Sequence, residues 1–580
     1  MSTTAMARQW YRQNVLLLAA VGIVMLPLAW RGCSCGQDFD FHLQSWMEVV
    51  AHWRAGILYP HWAASPNYGA GEPRFVFYPP MSWMLGGLLG VVLPWTWVGF
   101  VFTALVLLGA ALSFRAMAAE WMSDETAALA ACVYAVNPYM VFVAYERAAQ
   151  AELLAAVWMP LLVLYGLRKT GSGIPLALTV AALWLTNAPG AVMGMYFLAV
   201  VVLVAAMEER RWRLMGRAAA ATAVGIGLAG FWLVPASYEE RWVEIRRAIG
   251  PLMRVEDSFL FGFVNVARVP VEERFNAAYH NHVLGLVSWV AVALFLGAAV
   301  AAFLAWRKRR GGLWAPLVVV GGLIAVLQFR WSDIVWRSAP DLKFLQFPWR
   351  WLLVLGLVVA GLAGLAIRRT GPNTGRMRTR MVVGLACAMA VLAALAFWQP
   401  CDEDDNVPAQ VATFDRVGFE GTDEYTPRGA KNDDIQPGLP PVRVLRSADA
   451  DEGPLNPDLD TWQATAADDV PATVRVGKWG GEQRAAVVTS SAPGFAVLRL
   501  MDYPAWRVVV NGVATPVAER VHREDGLMTI PVKAGATRIE VRWETTPDEW
   551  AGRWVSLAAL AVTLAWMWKE RRTNRDEKFR

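Results

Sequence analysis

Apolar runs about as long as a bilayer's hydrocarbon core is thick recur through most of this chain, and no other feature narrows its fold as much. They lie at about 14–30, 97–118, 125–143, 152–168, 174–187, 189–207, 214–235, 283–306, 314–328, 350–368, 380–398 and 553–568. In hydrocarbon every backbone N–H and C=O must find a partner within the protein, so runs of this length are expected to be helices. The sequence therefore predicts a polytopic α-helical membrane protein with about twelve spans. Composition agrees: 56% of residues are hydrophobic and 18% charged, with a mean hydropathy of +0.34. The 30 Trp residues fall mostly near the ends of apolar runs, where an indole sits at headgroup level with its N–H hydrated.

The net charge of +5 is spread over short loops and gathers in no basic face, which argues against a nucleic-acid partner. The basic clusters at Arg168-Lys169, Arg210 to Arg213, Arg307 to Arg310, Arg368 to Arg380 and Lys569 to Arg580 all separate loops of the same parity. By the positive-inside rule both termini face the cytoplasm. The first run, Val15 to Trp30, has no small-residue cleavage site and reads as a retained span. Parity also makes residues 81–93, which precede Pro94, a half-span or interfacial segment.

Residues 1–398 thus form a transmembrane domain whose first outer loop, 31–80, is long for a connector. Further outer segments are expected at 144–151, 236–282 and 329–349. Residues 399–552 change composition abruptly and read as an extracytoplasmic β-rich domain, followed by a last span and basic cytoplasmic tail at 553–580. Alternating stretches at Ala496–Met501, Trp506–Val510 and Thr537–Trp543, with turn signals at Asn511-Gly512, Asp525-Gly526 and Ala534-Gly535, predict a small antiparallel β-sandwich. Because this pattern is complete between Thr461 and Thr546, the domain is expected to fold on its own. Cys132 and Cys387 lie in apolar runs, and Cys33 and Cys35 are too close for a zinc site. Both share an outer face with Cys401, which leaves open one disulfide, from Cys33 or Cys35 to Cys401, in an oxidising compartment.

Chemistry concentrates in the outer loops. Asp38-Phe-Asp40-Phe-His42 places two carboxylates at i and i+2 beside a low-dielectric boundary, where they can activate a hydroxyl or hold a divalent cation. They can equally cap the helix that follows. Tyr68, Phe77 and Tyr78 belong to a Gly, Pro and aromatic-rich stretch that suits sugars and isoprenoid chains. Glu146, Arg147 and Glu152 stand at the membrane surface, where charge is costly. Arg147 can grip a lipid diphosphate by its fork or pair with Glu146 or Glu152. Lys343 and Arg350 flank Gln346-Phe-Pro-Trp, either a second phosphate grip or interfacial anchors. His280 and His282 read as interfacial side chains, and Asn187-Ala-Pro-Gly190 as a tight outer hairpin.

Taken together, these residues resemble two groups of bacterial membrane proteins: those labelled as related to 6-pyruvoyl-tetrahydropterin synthase and those of the YfhO type. Both are similar to the polyprenyl-phosphate-dependent glycosyltransferases of the GT-C superfamily. The resemblance rests on Asp38 to His42, Asn67-Tyr-Gly to Phe77-Tyr-Pro-Pro80, Tyr145-Glu-Arg-Ala-Ala-Gln-Ala-Glu152, Leu345-Gln-Phe-Pro-Trp-Arg350 and Tyr503-Pro-Ala-Trp-Arg-Val-Val-Val-Asn-Gly512. It implies a GT-C-like fold in a bacterial inner (cytoplasmic) membrane. It also implies a sugar donor linked to polyprenyl phosphate and an extracytoplasmic glycan or protein acceptor. The resemblance assigns the catalytic or metal-holding carboxylate to Asp38, with Asp40 as the second candidate, and a divalent cation such as Mg or Mn is compatible with that role. His42, Glu146, Arg147, Glu152, Lys343 and Arg350 are then expected around the substrate and lipid phosphate. The pterin label carries no chemistry here, since no zinc-type His cluster accompanies it. A lipid-linked sugar flippase and a non-catalytic scaffold in envelope glycan assembly are the alternatives.

Overall fold

The computed structural model describes residues 3–168, 171–306, 313–367, 372–448, 455–456, 461–462 and 469–578. Of the basic clusters, Lys169, Arg307 to Arg310 and Arg368-Arg369 lie outside the described residues. Helices run in the order α1 (Thr3–Val24), α2 (Leu26–Arg31), α3 (Phe39–Arg54), α4 (Arg74–Phe77), α5 (Pro80–Val92), α6 (Trp95–Ala118) and α7 (Asp124–Ala135). Next come α8 (Pro138–Tyr145), α9 (Gln150–Leu167), α10 (Ile174–Trp184), α11 (Ala188–Glu209), α12 (Arg213–Leu228) and α13 (Gly230–Glu239). The rest are α14 (Arg274–Trp306), α15 (Trp314–Leu327), α16 (Asp333–Ser338), α17 (Leu352–Ala366), α18 (Pro372–Leu392), α19 (Val407–Arg416) and α20 (Pro547–Lys578).

Every apolar run is helical. Among the described residues, 7 helices are long and apolar enough to cross a membrane, and three bent pairs raise this to 10 if each is one span. The breaks have local causes. Pro138 disfavours helical backbone at Asn137, whose side chain instead caps α8 by accepting from the N–H groups of Tyr139 and Met140, and α7 meets α8 at 41°. The run at 174–187 yields only the short α10, because Asn187 caps α11 through the Gly190 N–H at 2.7 Å. Helix α5, caught between Pro80 and Pro94, reaches about 20 Å at 1.5 Å per residue, short of a bilayer core of about 30 Å. It braces the first outer loop. A Cβ on Gly86 would stand 2.2 Å from Nε1 of Trp46, so α3 lies directly on the α5 backbone.

The outer domain holds β1 (Val442–Leu445), β2 (Leu455–Asn456), β3 (Thr461–Trp462), β4 (Ala472–Gly480), β5 (Gln483–Ser490), β6 (Gly494–Met501), β7 (Trp506–Val510), β8 (Val513–Thr515), β9 (Leu527–Val532) and β10 (Gly535–Trp543). One sheet has the order β1-β6-β9, a second β4-β5-β10-β7-β8, and β2 pairs with β3; every pairing is antiparallel. Asn511 and Gly512, with φ of 50° and 85°, make the tight turn between β7 and β8. Inward residues of the two larger sheets share one apolar core.

That core is not the domain's alone. Trp62 of the first outer loop is completely buried in it, with its ring 5.0 Å from Trp506, and Ala70 joins it through a hydrogen bond from the Met501 N–H at 3.0 Å. The core therefore extends beyond the residues over which the strand pattern is complete. The strand pattern shows which faces are apolar, but the tryptophan that fills the space between them comes from more than four hundred residues earlier.

Candidate active site

The first and second outer loops are joined along their main chains. The N–H of Gln37 donates to the Glu146 carbonyl at 3.2 Å, and that of Asp38 to the Arg147 carbonyl at 2.9 Å. Only a glycine permits this approach at position 36, where a Cβ would fall 2.4 Å from the Glu146 oxygen. A disulfide between Cys35 and Cys401 and a hydrogen bond from the Cys35 N–H to Gln399 O (3.1 Å) bind the same segment to the chain leaving α18. Cys33 keeps a free thiol.

Asp38 occupies the N-cap position of α3, yet its side chain makes no cap hydrogen bond. Its Oδ2 instead accepts from Nη2 of Arg147 at 3.1 Å. The pair is asymmetric, with the Asp38 side chain 38% exposed and that of Arg147 only 4%. A covered guanidinium requires a counter-charge, whereas a carboxylate this open can be reached by a second molecule.

Beyond the Arg147 guanidinium lie Phe347 and Trp349, with ring centres 5.3 Å and 5.2 Å away, themselves stacked at 4.7 Å. On the far side Arg350 sits 5.1 Å from the Phe347 ring, pairs through Nε with Glu152 at 3.3 Å and donates to the Leu345 carbonyl at 3.0 Å. Tyr139 on α8 donates its hydroxyl proton to Glu152 at 2.6 Å. Asp38, Arg147, Arg350 and Glu152 thus form one cluster of two cations and two anions around an aromatic pair, drawn from three stretches of chain. Ala148 and Gln346, at φ of 46° and 62°, hold left-handed backbone beside its two arginine-bearing segments. Non-glycine residues rarely adopt that conformation unless their surroundings impose it.

The other expected residues divide. Tyr78 borders the cluster, its ring 4.8 Å from Phe41 and 6.0 Å from His42, and burial raises its phenol. Asp40 is exposed one turn into α3, and the protein around it raises its carboxyl, chiefly by desolvation, with the charges of Asp38 and Asp405 adding. His42 is buried, its Nε2 accepts from the Gln150 N–H at 3.0 Å, and burial lowers it to about 4. It is a neutral strut between α3 and α9 and presents no charge to phosphate. Glu146 is fully buried and spent on Gln399 (2.5 Å) and Tyr279 (3.4 Å), so it ties the second loop to its neighbours. Lys343 is exposed with its ammonium 5.1 Å from the Phe344 ring, and no contact described for the cluster reaches it.

Tyr68 and Phe77 turn away from the cluster. Phe77 stacks on Tyr425 at 5.7 Å, the Tyr68 N–H donates to the Phe419 carbonyl at 2.8 Å, and both side chains pack against the outer-domain core. Their aromatic surface seats a domain. Residues not singled out in the sequence also matter. Tyr139 orients Glu152; buried Arg74 pairs with Glu72 at 2.7 Å, reaches Ser45 Oγ at 3.1 Å and lies 4.4 Å from the Phe41 ring, which stiffens the loop behind Asp38. The signal for Arg74 is a charged residue amid aromatics in Glu72-Pro-Arg74-Phe-Val-Phe77.

An apolar cleft of about 230 Å³ is lined among others by Leu28, Phe39, Trp97, Phe100 and Gln150, so its wall includes the residue that follows Asp38 in the chain. Among the described residues no group of three His, Cys, Asp or Glu side chains converges as a metal-ligand set.

No family model matches the sequence, and no curated protein matches it. Solved structures show likenesses of fold. With the arabinofuranosyltransferase AftD from Mycobacteria the chain shares 20% identity at a TM-score of 0.40, over 67% of its length. With the archaeal oligosaccharyltransferase AglB from Archaeoglobus fulgidus, in complex with an inhibitory peptide and a dolichol-phosphate, it shares 12% identity at 0.43 over 72%. With ArnT from Cupriavidus metallidurans bound to undecaprenyl phosphate it shares 14% identity at 0.28 over 63%. The match spans 27% of the AftD chain, 61% of AglB and 78% of ArnT.

Proposed function

We propose that this chain is a GT-C-type membrane glycosyltransferase, which moves a sugar from a polyprenyl-phosphate donor to an extracytoplasmic glycan or protein acceptor. One observation carries the reading: an open carboxylate, Asp38, is held by a covered guanidinium, Arg147, which shares the Phe347 ring with a second guanidinium, Arg350. The donor's isoprenoid chain lies in the cleft and its phosphate takes the fork of Arg147, with Arg350 behind it. Asp38, released from its partner, accepts the proton of an acceptor hydroxyl as that oxygen attacks the anomeric carbon. The bond from that carbon to the phosphate oxygen breaks with inversion. The departing lipid phosphate keeps the electron pair, and the fixed arginines stabilise its charge. Glu152 and Tyr139 hold Arg350 in place.

Asp40, open and raised, is the second candidate for the base. If magnesium or manganese takes part, Asp38 and Asp40 are its protein ligands and donor oxygens must complete the set; no step above runs through a metal. In this reading the chain is a relative of the YfhO-type and pterin-synthase-labelled membrane proteins. Its twelve apolar runs each cross a bacterial inner membrane, with both termini cytoplasmic. The orientation is tested with cysteines in a background lacking Cys33, Cys132 and Cys387. In intact cells Lys533→Cys should react with an impermeant thiol reagent and Gly171→Cys should not; reaction at position 171 overturns it.

The function is tested with full-length protein in nanodiscs, by following transfer from a panel of undecaprenyl-phosphate sugars. Asp38→Asn should lower the rate about 10²-fold or more, the usual size of a general-base effect. It also removes the counter-charge of the covered Arg147, so transfer is compared per folded molecule with the melting temperature measured alongside. Full activity in both Asp38→Asn and Asp40→Asn would remove both carboxylates from the base role, and absence of transfer from every donor by wild type would leave the chain a non-catalytic scaffold.

A further inference from the structure

Asp38 stands at the N-terminal end of α3. Tyr59 and His61, which follow its C-terminal end, line a second cavity of about 290 Å³ closed by α13 and the start of α20. Close backbone contact shapes it, for a Cβ on Gly552 of α20 would lie 2.6 Å from the Gly230 carbonyl of α13. Its walls are aromatic: Tyr59 lies 5.8 Å from Phe231, and Phe75 and Trp232 also face the space. Its other end is polar. His61 reaches Glu482 at 3.0 Å and Glu549 at 3.6 Å, and Glu549 also pairs with Arg553 at 3.2 Å.

Two features say what such a cavity takes. First, with His61 protonated the two cations balance the two carboxylates, so neither an anionic nor a cationic ligand is favoured. Second, Trp232 is 3% exposed and its indole N–H has no hydrogen-bond partner in the protein, although buried donors are nearly always satisfied. A ligand that gains from flat aromatic walls, accepts a hydrogen bond from an indole and meets a charge-paired rim with hydroxyls is an uncharged sugar ring. Its C–H faces are apolar, and its edge both donates and accepts.

We propose that this cavity is a saccharide-binding site that holds a neutral sugar ring of the glycan acceptor. Its link to the Asp38 cluster is short in sequence, since Phe75 of this wall lies within the four-residue helix α4 and Tyr78, which borders the cluster, directly follows it. The acceptor role rests on the glycosyl-transfer reading, but the binding itself does not.

Saturation-transfer NMR on the full-length protein in nanodiscs tests this, with the methyl glycosides of glucose, galactose, mannose and arabinose as probes. Wild type should transfer saturation to at least one glycoside. Trp232→Phe, which keeps the ring and removes the N–H, and Tyr59→Phe should each weaken that signal about 3- to 10-fold, the span of one lost hydrogen bond. Asp38→Asn should not change it. Absence of transfer to every glycoside, or transfer indifferent to both substitutions, overturns the site. If Asp38→Asn abolishes catalysis while no glycoside binds, the transfer reading stands and this one falls. If glycosides bind here while wild type transfers no sugar from any donor, the site stands without the enzyme.

Discussion

Arg147 and Asp38 meet twice, through their side chains at 3.1 Å and through the Asp38 N–H and the Arg147 carbonyl at 2.9 Å, across 109 residues of sequence. The main-chain contact fixes where the carboxylate stands, and the side-chain contact fixes its resting partner. A phosphate that claims the guanidinium leaves the first contact intact and breaks only the second.

Arg147→Lys separates these roles. An ammonium can still neutralise Asp38, but it offers neither the fork that binds phosphate through two hydrogen bonds nor the flat face toward Phe347 and Trp349. The donor KM should rise about 10-fold, the effect of roughly one charge-assisted hydrogen bond. An unchanged donor KM would remove Arg147 from the phosphate site.

Gly36→Ala should separate the two outer loops, because the added methyl meets the carbonyls of Glu146 and Tyr145 at 2.4 Å and 2.5 Å. A cost of about 1–3 kcal/mol is expected, as for other overpacked positions. Transfer activity should fall further than the melting temperature implies. Gly22→Ala, where a methyl meets nothing within 4 Å, is the control and should match wild type in both measurements.

Trp62→Ala should destabilise the outer domain by about 3–5 kcal/mol, since it empties a large, fully enclosed aromatic site. A soluble fragment of residues 400–550 lacks that side chain altogether and should show no cooperative melt by circular dichroism. A sharp melt of the isolated fragment would contradict the shared core.

His61 makes the seam between the first outer loop and the outer domain sensitive to pH. Burial works to lower its imidazole, but the hydrogen bond and charge of Glu482, joined by Glu549 and opposed by Arg553, leave it raised above its ordinary 6.5. A raised cationic group gives its full stabilisation below the unfolded pKa and loses it as pH climbs through the folded value. The melting temperature should therefore fall as pH rises past about 6.5, and His61→Gln should flatten that dependence. A profile identical to wild type would show the pair to be inert.

The sequence shows the helices because hydrocarbon forces every spanning segment to declare itself in composition, and it shows the hairpin turns because Gly512, Gly526 and Gly535 occupy left-handed backbone. Asp38, Arg147 and Arg350 also stand out, since charge at a membrane surface is costly enough to be conspicuous. Direction is what stays hidden. Phe77 and Tyr78 are adjacent, yet one stacks on Tyr425 and the other borders the acid cluster. An aromatic-rich stretch reads the same whether it grips a sugar or seats a domain. Glu146 and Glu152 look equivalent in the sequence, but only the contacts of Gln399 and Arg350 tell the strut from the site.

The Cys35–Cys401 bridge spans 366 residues, and this imposes an order on biogenesis. Cys35 is made 366 residues before Cys401, so the bond that fastens the loop of Asp38 cannot form until Cys401 has been synthesised. Through that interval Cys35 and the Trp62 side chain destined for the outer-domain core are without their final partners. A chain arrested before Cys401 would carry Asp38, Arg147, Glu152 and Arg350 without the bridge that fastens the loop of Asp38.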